Sequence, residues 1–303
     1  MIQPWQKRVI KNTIKSCIPF KGALRQMSRH FSPYQTNPTN DAGLFENAIR
    51  QIEMLREIKF DVRGRRVLEI GSGWHPLLAM IFISAGARDV ILTDVDRLLD
   101  HRLVRSAIDT VLSKRAVLVE RIGCDCFDRL QIDLSGSNLT KMLERLGITY
   151  CVPYQTKQSP TQSIDLIVSC SVLEHISLSL LDTMITDFHR ILAPGGAMVH
   201  FIDNSDHFEH NDKTISRVNF LRFGDLTWKL CCLNPQNYQN RLRHSEYAHL
   251  FKSRGFDIAF EYRESRDREQ AEVQAMPLAP RFRGREIQDL AAITSQFVLL
   301  RRA

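Results

Sequence analysis

The sequence predicts an α/β protein: a doubly wound, mostly parallel seven-stranded sheet, with a helical N-terminal extension and a cap after the fifth strand. Three observations carry this expectation. Short, near-continuous apolar runs such as Val67–Ile70 and Ile164–Ser169 read as strands buried on both faces. Helical periodicity fills the stretches between such runs. A strand, a glycine loop, a helix and a second strand follow in immediate succession over residues 65–93. That is a βαβ unit, which calls for a parallel pair.

The elements follow in order. Leu44, Phe45, Ala48, Ile49, Ile52 and Leu55 lie on one face of a helix expected over 42–58. The first strand ends at Ile70, and Pro76 opens a helix that runs to Ala85, since proline suits a first helical turn. The second strand, 89–93, ends at Asp94. Residues 97–146 exceed one crossover and form an insert: a helical stretch through Leu103, Val104, Ala107 and Val111, a polar loop near 135–137, and a second helix stopped by Gly147. Strands are expected at 148–152 and 164–169. A helix over 180–192 turns Leu181, Met184, Ile185, Phe188 and Leu192 inward, and "APGG" breaks it at 193–196. The fifth strand is 197–202, and a cap is expected over 204–247. A helix at 246–253 stops at Gly255. Strands at 256–262 and 293–299 complete the seven.

Composition narrows the class. A chain of 303 residues with 44% hydrophobic and 25% charged residues can bury an ample core. Its seven cysteines form no CxxC pair and no regular framework, so reduced thiols and a cytoplasmic location are expected. No apolar run approaches a membrane span and no signal peptide is visible. Residues 1–40 read as a separate basic arm before a main domain over 41–303. Its first thirty residues hold Lys7, Arg8, Lys11, Lys15, Lys21, Arg25 and Arg29 and no acid, so the arm accounts for the whole net charge of +7. With apolar residues at helical spacing, it is expected to pack on the domain, with peripheral contact to an anionic membrane as the rival reading. The rest is charge-balanced and carries no recognition module, so nucleic acid is not expected as a partner. The oligomeric state is not legible.

The glycine loop reads "RVLEIGSGWHPLL". A Gly-x-Gly at the carboxyl end of a strand brings the backbone close to a ligand. The dinucleotide pattern G-x-G-x-x-G fails, because the sixth position is Pro76. A nicotinamide-dependent oxidoreductase is therefore the weaker reading. No P-loop sequence occurs.

"VLEIGSG", Asp94 beyond it, "IDLIVSCSVLEHI" and "RILAPGGAMVHF" together resemble the class I S-adenosylmethionine-dependent methyltransferases, in the family's order and over about residues 65–203. "SRGFDI" and the terminal strand resemble that family's last two strands. The resemblance implies S-adenosyl-L-methionine as cofactor, with the Gly71–Ser72–Gly73 backbone along its methionine part and ribose. It implies that Glu69 holds the amino group and that Asp94 accepts the ribose hydroxyls, Asp96 being the competing acid. Ser169 would face the methionine end. The chain departs from the pattern twice: His75 stands at the common third glycine, and no acid follows the third strand to meet the adenine, leaving Val95 and Tyr154 as unassigned candidates. A non-catalytic cofactor-binding protein would share all these features.

An oxygen acceptor must lose a proton, and His, Asp or Glu is the usual base. "HFIDNSDHFEHND", after the fifth strand, supplies Asp203, Asp206, His207, His210 and Asp212. His207 and His210 are the candidate catalytic bases. A divalent-metal site is the subsidiary reading of the same residues, and none is assigned to a metal. His175 lines the pocket or is structural. The cap interleaves aromatics with Arg217, Arg222, Arg241 and Arg243, which either bind an acidic group of the acceptor or are solvated. The expected acceptor is an oxygen of a small molecule or of a glycan or lipid intermediate.

Overall fold

A computed structural model describes residues 6, 7, 9, 10, 38–134, 136–210, 212–233 and 238–302. Its sheet has seven strands: β1 (Arg66–Ile70), β2 (Asp89–Thr93), β3 (Ile148–Cys151), β4 (Ile164–Cys170), β5 (Leu192–Asp203), β6 (Phe256–Ser265) and β7 (Ala292–Arg301). Their order is β3-β2-β1-β4-β5-β7-β6. The first five are parallel, and β7 runs antiparallel to both β5 and β6. The winding reverses between β1 and β4, and such a switch point leaves a crevice beyond the strand ends.

Alternate side chains of the central strands enter opposite layers, as the pleat requires. Val67, Val168 and Val199 join one core with α1 (Pro38–Glu57), α2 (Leu77–Ser84), α3 (His101–Ser113), α4 (Arg115–Ile122) and α5 (Leu139–Leu146). Leu68, Ile167 and Met198 join the other with α6 (Leu178–Ile191) and α8 (His244–Ser253). Every residue of α2 is buried, which explains why its sequence, LLAMIFIS, is apolar all round. The expected face of α1 is buried at Phe45, Ala48, Ile49, Ile52 and Leu55. Asp100 caps α3 by accepting from the Arg102 and Leu103 amides, and Gly147 ends α5 at φ 74°.

Three expectations change. "APGG" is not a break between helix and strand: it lies within β5, which starts at Leu192 directly after α6. The register there shifts from the Ile164↔Leu192 pair to Leu166↔Ala197, so the glycines are absorbed as an irregular strand entry. The insert carries three α-helices rather than two, α4 being the addition. The cap is larger than expected. Phe208, Val218, Phe220, Leu221 and Trp228 pack with Val273, Met276, Phe282 and Leu290. The β6–β7 connection, with α9 (Asp267–Ala275) and α10 (Ile287–Leu290), therefore supplies its second half beside α7 (Asp225–Cys231).

Most of the basic arm lies outside the described residues. Of it, Gln6, Lys7, Val9 and Ile10 are helical, and Val9 packs against the cap cluster. Among the described residues, no helix is long and apolar enough to cross a membrane.

Candidate functional site

The loop after β1 makes its turns with Gly71 at φ 70° and Gly73 at φ 60°, in the left-handed region that favours glycine. A Cβ at Gly71 would lie 2.5 Å from the Val172 side chain, so this glycine is also needed for room. The loop is tied to β2. The Ser72 amide donates to the Thr93 carbonyl at 2.9 Å, and the Thr93 hydroxyl donates to the Glu69 carbonyl at 2.7 Å. Asp94 then closes the loop: Oδ2 accepts from the Gly73 amide at 2.9 Å, and Oδ1 accepts from the Val95 amide at 2.7 Å and the Asp96 amide at 3.3 Å. Asp96 is exposed. Val95 stands 83% exposed beside this loop, and Tyr154 donates its amide to the Asp94 carbonyl at 3.2 Å.

Glu69 is buried, and its Oε2 meets no hydrogen-bond donor; nor does the buried Ser72 hydroxyl find a partner. Burial, with the neighbouring Asp94 charge adding to it, pushes the Glu69 carboxyl up to about 8. An orphaned carboxyl and an orphaned hydroxyl beside a glycine loop suit a ligand that brings its own N–H donors and positive charge. The amino-acid end of S-adenosylmethionine is such a ligand, so these residues fit the cofactor. Ser169 lies fully buried at the end of β4. Its hydroxyl sits 2.8 Å from His200 Nδ1, and its carbonyl accepts from Gln51 of α1 at 3.1 Å. Burial drives the His200 imidazole down to about 3, so it is neutral. His75 is buried as well.

The second cluster forms at the carboxyl ends of β4 and β5. After β4 a 3-10 turn, Leu173–His175, is pinned by Asn240, whose side-chain amide donates to the Leu173 and Ile176 carbonyls at 2.8 and 3.0 Å. This sets Glu174 inward and His175 at the rim. After β5, Asp206 anchors the turn by accepting from the Phe208 amide at 2.9 Å. His207 and His210 are thereby brought back over Asp203. Each has Nε2 3.4 Å from Asp203 Oδ2. The His207 ring centre lies 4.8 Å from that of His175 and 4.9 Å from that of His210. Burial would raise the Asp203 pKa, but His207 and Ser205 hold it down at about 2. Glu174, pressed by burial and by Asp203, is pushed well above the carboxylate range.

The two expected bases thus lie together, and Asp203 lies with them. Asp206 and Asp212 support the turn instead: Asp212 Oδ1 accepts from the Thr214 amide and hydroxyl. Glu174, His200, Gln51 and Asn240 contact or support these candidate residues and were not read from the sequence. The glutamate of "LEHI" carried a signal, an acid beside a histidine directly after a buried strand. Two cap arginines take neither expected role. Arg243 is fully buried and donates to the Asn204, Asp289 and Ala292 carbonyls. Arg241 pairs with Asp225 at 2.8 Å and lies 4.9 Å over the Trp228 ring. Both hold the cap together.

No curated protein matches the chain. Among solved structures, an S-adenosylmethionine-dependent methyltransferase from Mesorhizobium loti is 16% identical, with a TM-score of 0.46 over 82% of this chain and 96% of that one. Phosphoethanolamine N-methyltransferase 2 of Haemonchus contortus, solved with S-adenosyl-L-methionine, is 15% identical, with a TM-score of 0.46 over 84% of this chain and 52% of that one. A family model described as a methyltransferase domain matches residues 43–259, well over half of the sequence. The chain belongs to the class I S-adenosylmethionine-dependent methyltransferase family, and it is an enzyme of that kind.

Proposed function

We propose that the enzyme methylates an oxygen of a small molecule or of a glycan or lipid intermediate, and that His210 is the base. S-adenosylmethionine supplies an electrophilic methyl group on a sulfonium. The protein's part is to hold donor and acceptor in line and to take the hydroxyl proton. Glu69 and Ser72 receive the cofactor's amino-acid end. Asp94 Oδ1 already accepts two amides and Oδ2 one, so of the about four accepting positions of an ionised carboxylate about one is left, on Oδ2, for a ribose hydroxyl. The Gly71–Gly73 backbone lies along the ligand, Ser169 forms the floor under the methionine end, and Val95 and Tyr154 border the adenine.

The observation that carries the oxygen reading is the Asp203–Ser205–His210 chain at the end of β5. The Ser205 hydroxyl donates to Asp203 Oδ1 at 2.6 Å, so at His210 Nε2, 3.1 Å away, it accepts. Nε2 therefore carries the imidazole proton, and Nδ1 is left as the accepting nitrogen of a side chain that is 46% exposed. Asp203 steadies the imidazolium once the proton has moved, as an orienting carboxylate does in other acid–base pairs. His207 is the more covered of the two expected bases, at 22%. Screening hydroxyl-bearing acceptors of these classes with methyl-labelled cofactor tests the proposal. Label recovered only on nitrogen or carbon would overturn it.

A further inference from the structure

Glu174 and Asp203 bring two carboxylates near enough to repel at the ends of β4 and β5, and among the described residues no lysine or arginine pairs with either. Glu174 is 1% exposed, and neither of its oxygens accepts a hydrogen bond, although the main-chain N–H groups of Glu174 and Asp203 lie close by. A buried carboxylate with no partner is costly, and a second one beside it adds repulsion. Ser205 donates its amide and hydroxyl to Asp203 Oδ1, while Asp203 Oδ2 and the Glu174 carboxyl are faced by imidazoles. His175 Nδ1 donates to the Tyr238 carbonyl at 2.9 Å, which fixes the tautomer and leaves Nε2 as a lone-pair donor. A carbonyl that orients a histidine this way is the usual outer support of a metal ligand. His207 Nε2 is buried without a hydrogen bond.

We propose that Glu174, His175, Asp203 and His207 form a binding site for one divalent transition-metal ion. Ligand atoms of Glu174, His175 and His207 all lie within 4.8 Å of one another, those of Asp203, His207 and His210 form a second such group, and Asp203 meets His207, the residue the two groups share, at 3.4 Å. That last separation is long for a hydrogen bond to a charged group. It matches the edge of a tetrahedron of donors around an ion with bonds of about 2.1 Å, which is roughly 3.4 Å. Two imidazoles and two carboxylates suit zinc, manganese, iron, cobalt or nickel rather than magnesium or calcium, which prefer oxygen donors alone. An ion also resolves the electrostatics: two positive charges face two carboxylates while the imidazoles stay neutral. His210, whose Nε2 proton is held by Ser205, stays outside this ligand set. Glu174 is in the floor and His175 at the exposed rim, so the ion would have an open side toward the acceptor, where it could ligate an oxygen and ease loss of its proton. Only this last role rests on the methyl-transfer reading.

The test uses the full chain without a histidine tag, stripped with EDTA and then titrated with Co2+ in the absence of cofactor and acceptor. We expect saturable binding of one equivalent, with visible d–d bands of nitrogen–oxygen coordination. His207→Ala and Glu174→Gln should each weaken Co2+ binding at least tenfold while still binding S-adenosylmethionine. Asp94→Ala, in the other cluster, should bind Co2+ as the parent does. No saturable Co2+ binding to the parent chain, or parental affinity in both ligand variants, would overturn the site. Should the variants not fold, the parent chain decides alone: Zn2+ must raise its melting temperature, EDTA must reverse the rise, and absence of the shift refutes the proposal.

Discussion

The buried carboxyl of Glu69 gives a sharp test of the cofactor site, because its charge must change when a cation arrives. Its pKa lies at about 8 against an ordinary 4.5. That difference corresponds to roughly 5 kcal/mol held against ionisation in the empty protein. Folding raises this pKa, so the folded chain keeps a proton that the unfolded chain loses. The stability this adds is fully present below pH 4.5 and is lost as pH rises to about 8. An ammonium brought beside Glu69 favours the carboxylate, so binding should expel the proton. At pH 6 about one carboxyl in a hundred is ionised beforehand, and at pH 7 about one in ten. With the value of about 7.8 typical of a peptide α-amino group taken for the ligand's amine, the ligand keeps most of its charge over that range. Affinity for S-adenosylmethionine should therefore rise nearly tenfold from pH 6 to pH 7, then flatten near pH 8 as the ligand's amine loses its proton. Calorimetry at pH 7 in two buffers of different protonation enthalpy should show about 0.8 proton released per ligand bound. In Glu69→Gln the slope and the released proton should both vanish. A parent affinity that is flat between pH 6 and 7, or a Glu69→Gln variant that keeps the slope, would refute the assignment.

Three further outcomes follow from the geometry. Asp94→Ala removes the acceptor of the Gly73 and Val95 amides and should weaken S-adenosylmethionine by about 2–3 kcal/mol, whereas Asp96→Ala should leave calorimetric affinity unchanged. His210→Ala should lower kcat by about a hundredfold or more with cofactor affinity intact, and full turnover in that variant would remove His210 as the base. Val9 packs on the cap, so a chain lacking residues 1–30 should melt at a lower temperature, and the intact chain should not co-sediment with anionic vesicles. Salt-sensitive co-sedimentation of the intact chain would instead establish the arm as a membrane contact.

The periodicities of 2 and 3.6 are local, so strands, helices and the glycine loop could be read along the chain. Glu69, Gly71 and Asp94 became cofactor candidates through the family resemblance, and the structure sets each at or just beyond the end of β1 or β2. Local pattern misled where two neighbouring signals competed. "APGG" carries the turn residues of a loop, yet pairing with β4 draws it into β5. The third insert helix was missed because "RAVLVERI" buries only Leu118 and Ile122 and so has a narrow apolar face.

The family and the order of the elements are legible in the chain, because they depend on neighbours a few residues apart, and the resemblance adds the strand ends at which the cofactor is expected. Only the tertiary fold assembles the second cluster. Glu174 and His175 meet His207, and His207 meets Asp203 and His210, because β4 and β5 pair in register, Ser169 beside His200, so that the two turns beyond them converge. In the chain Arg241 and Arg243 read equally as anion ligands or as solvated residues; they are struts, since the β6–β7 connection folds back to bury them. Burial and long-range proximity set the charge states of Glu69, Glu174 and Asp203, and no run of neighbouring residues encodes either quantity.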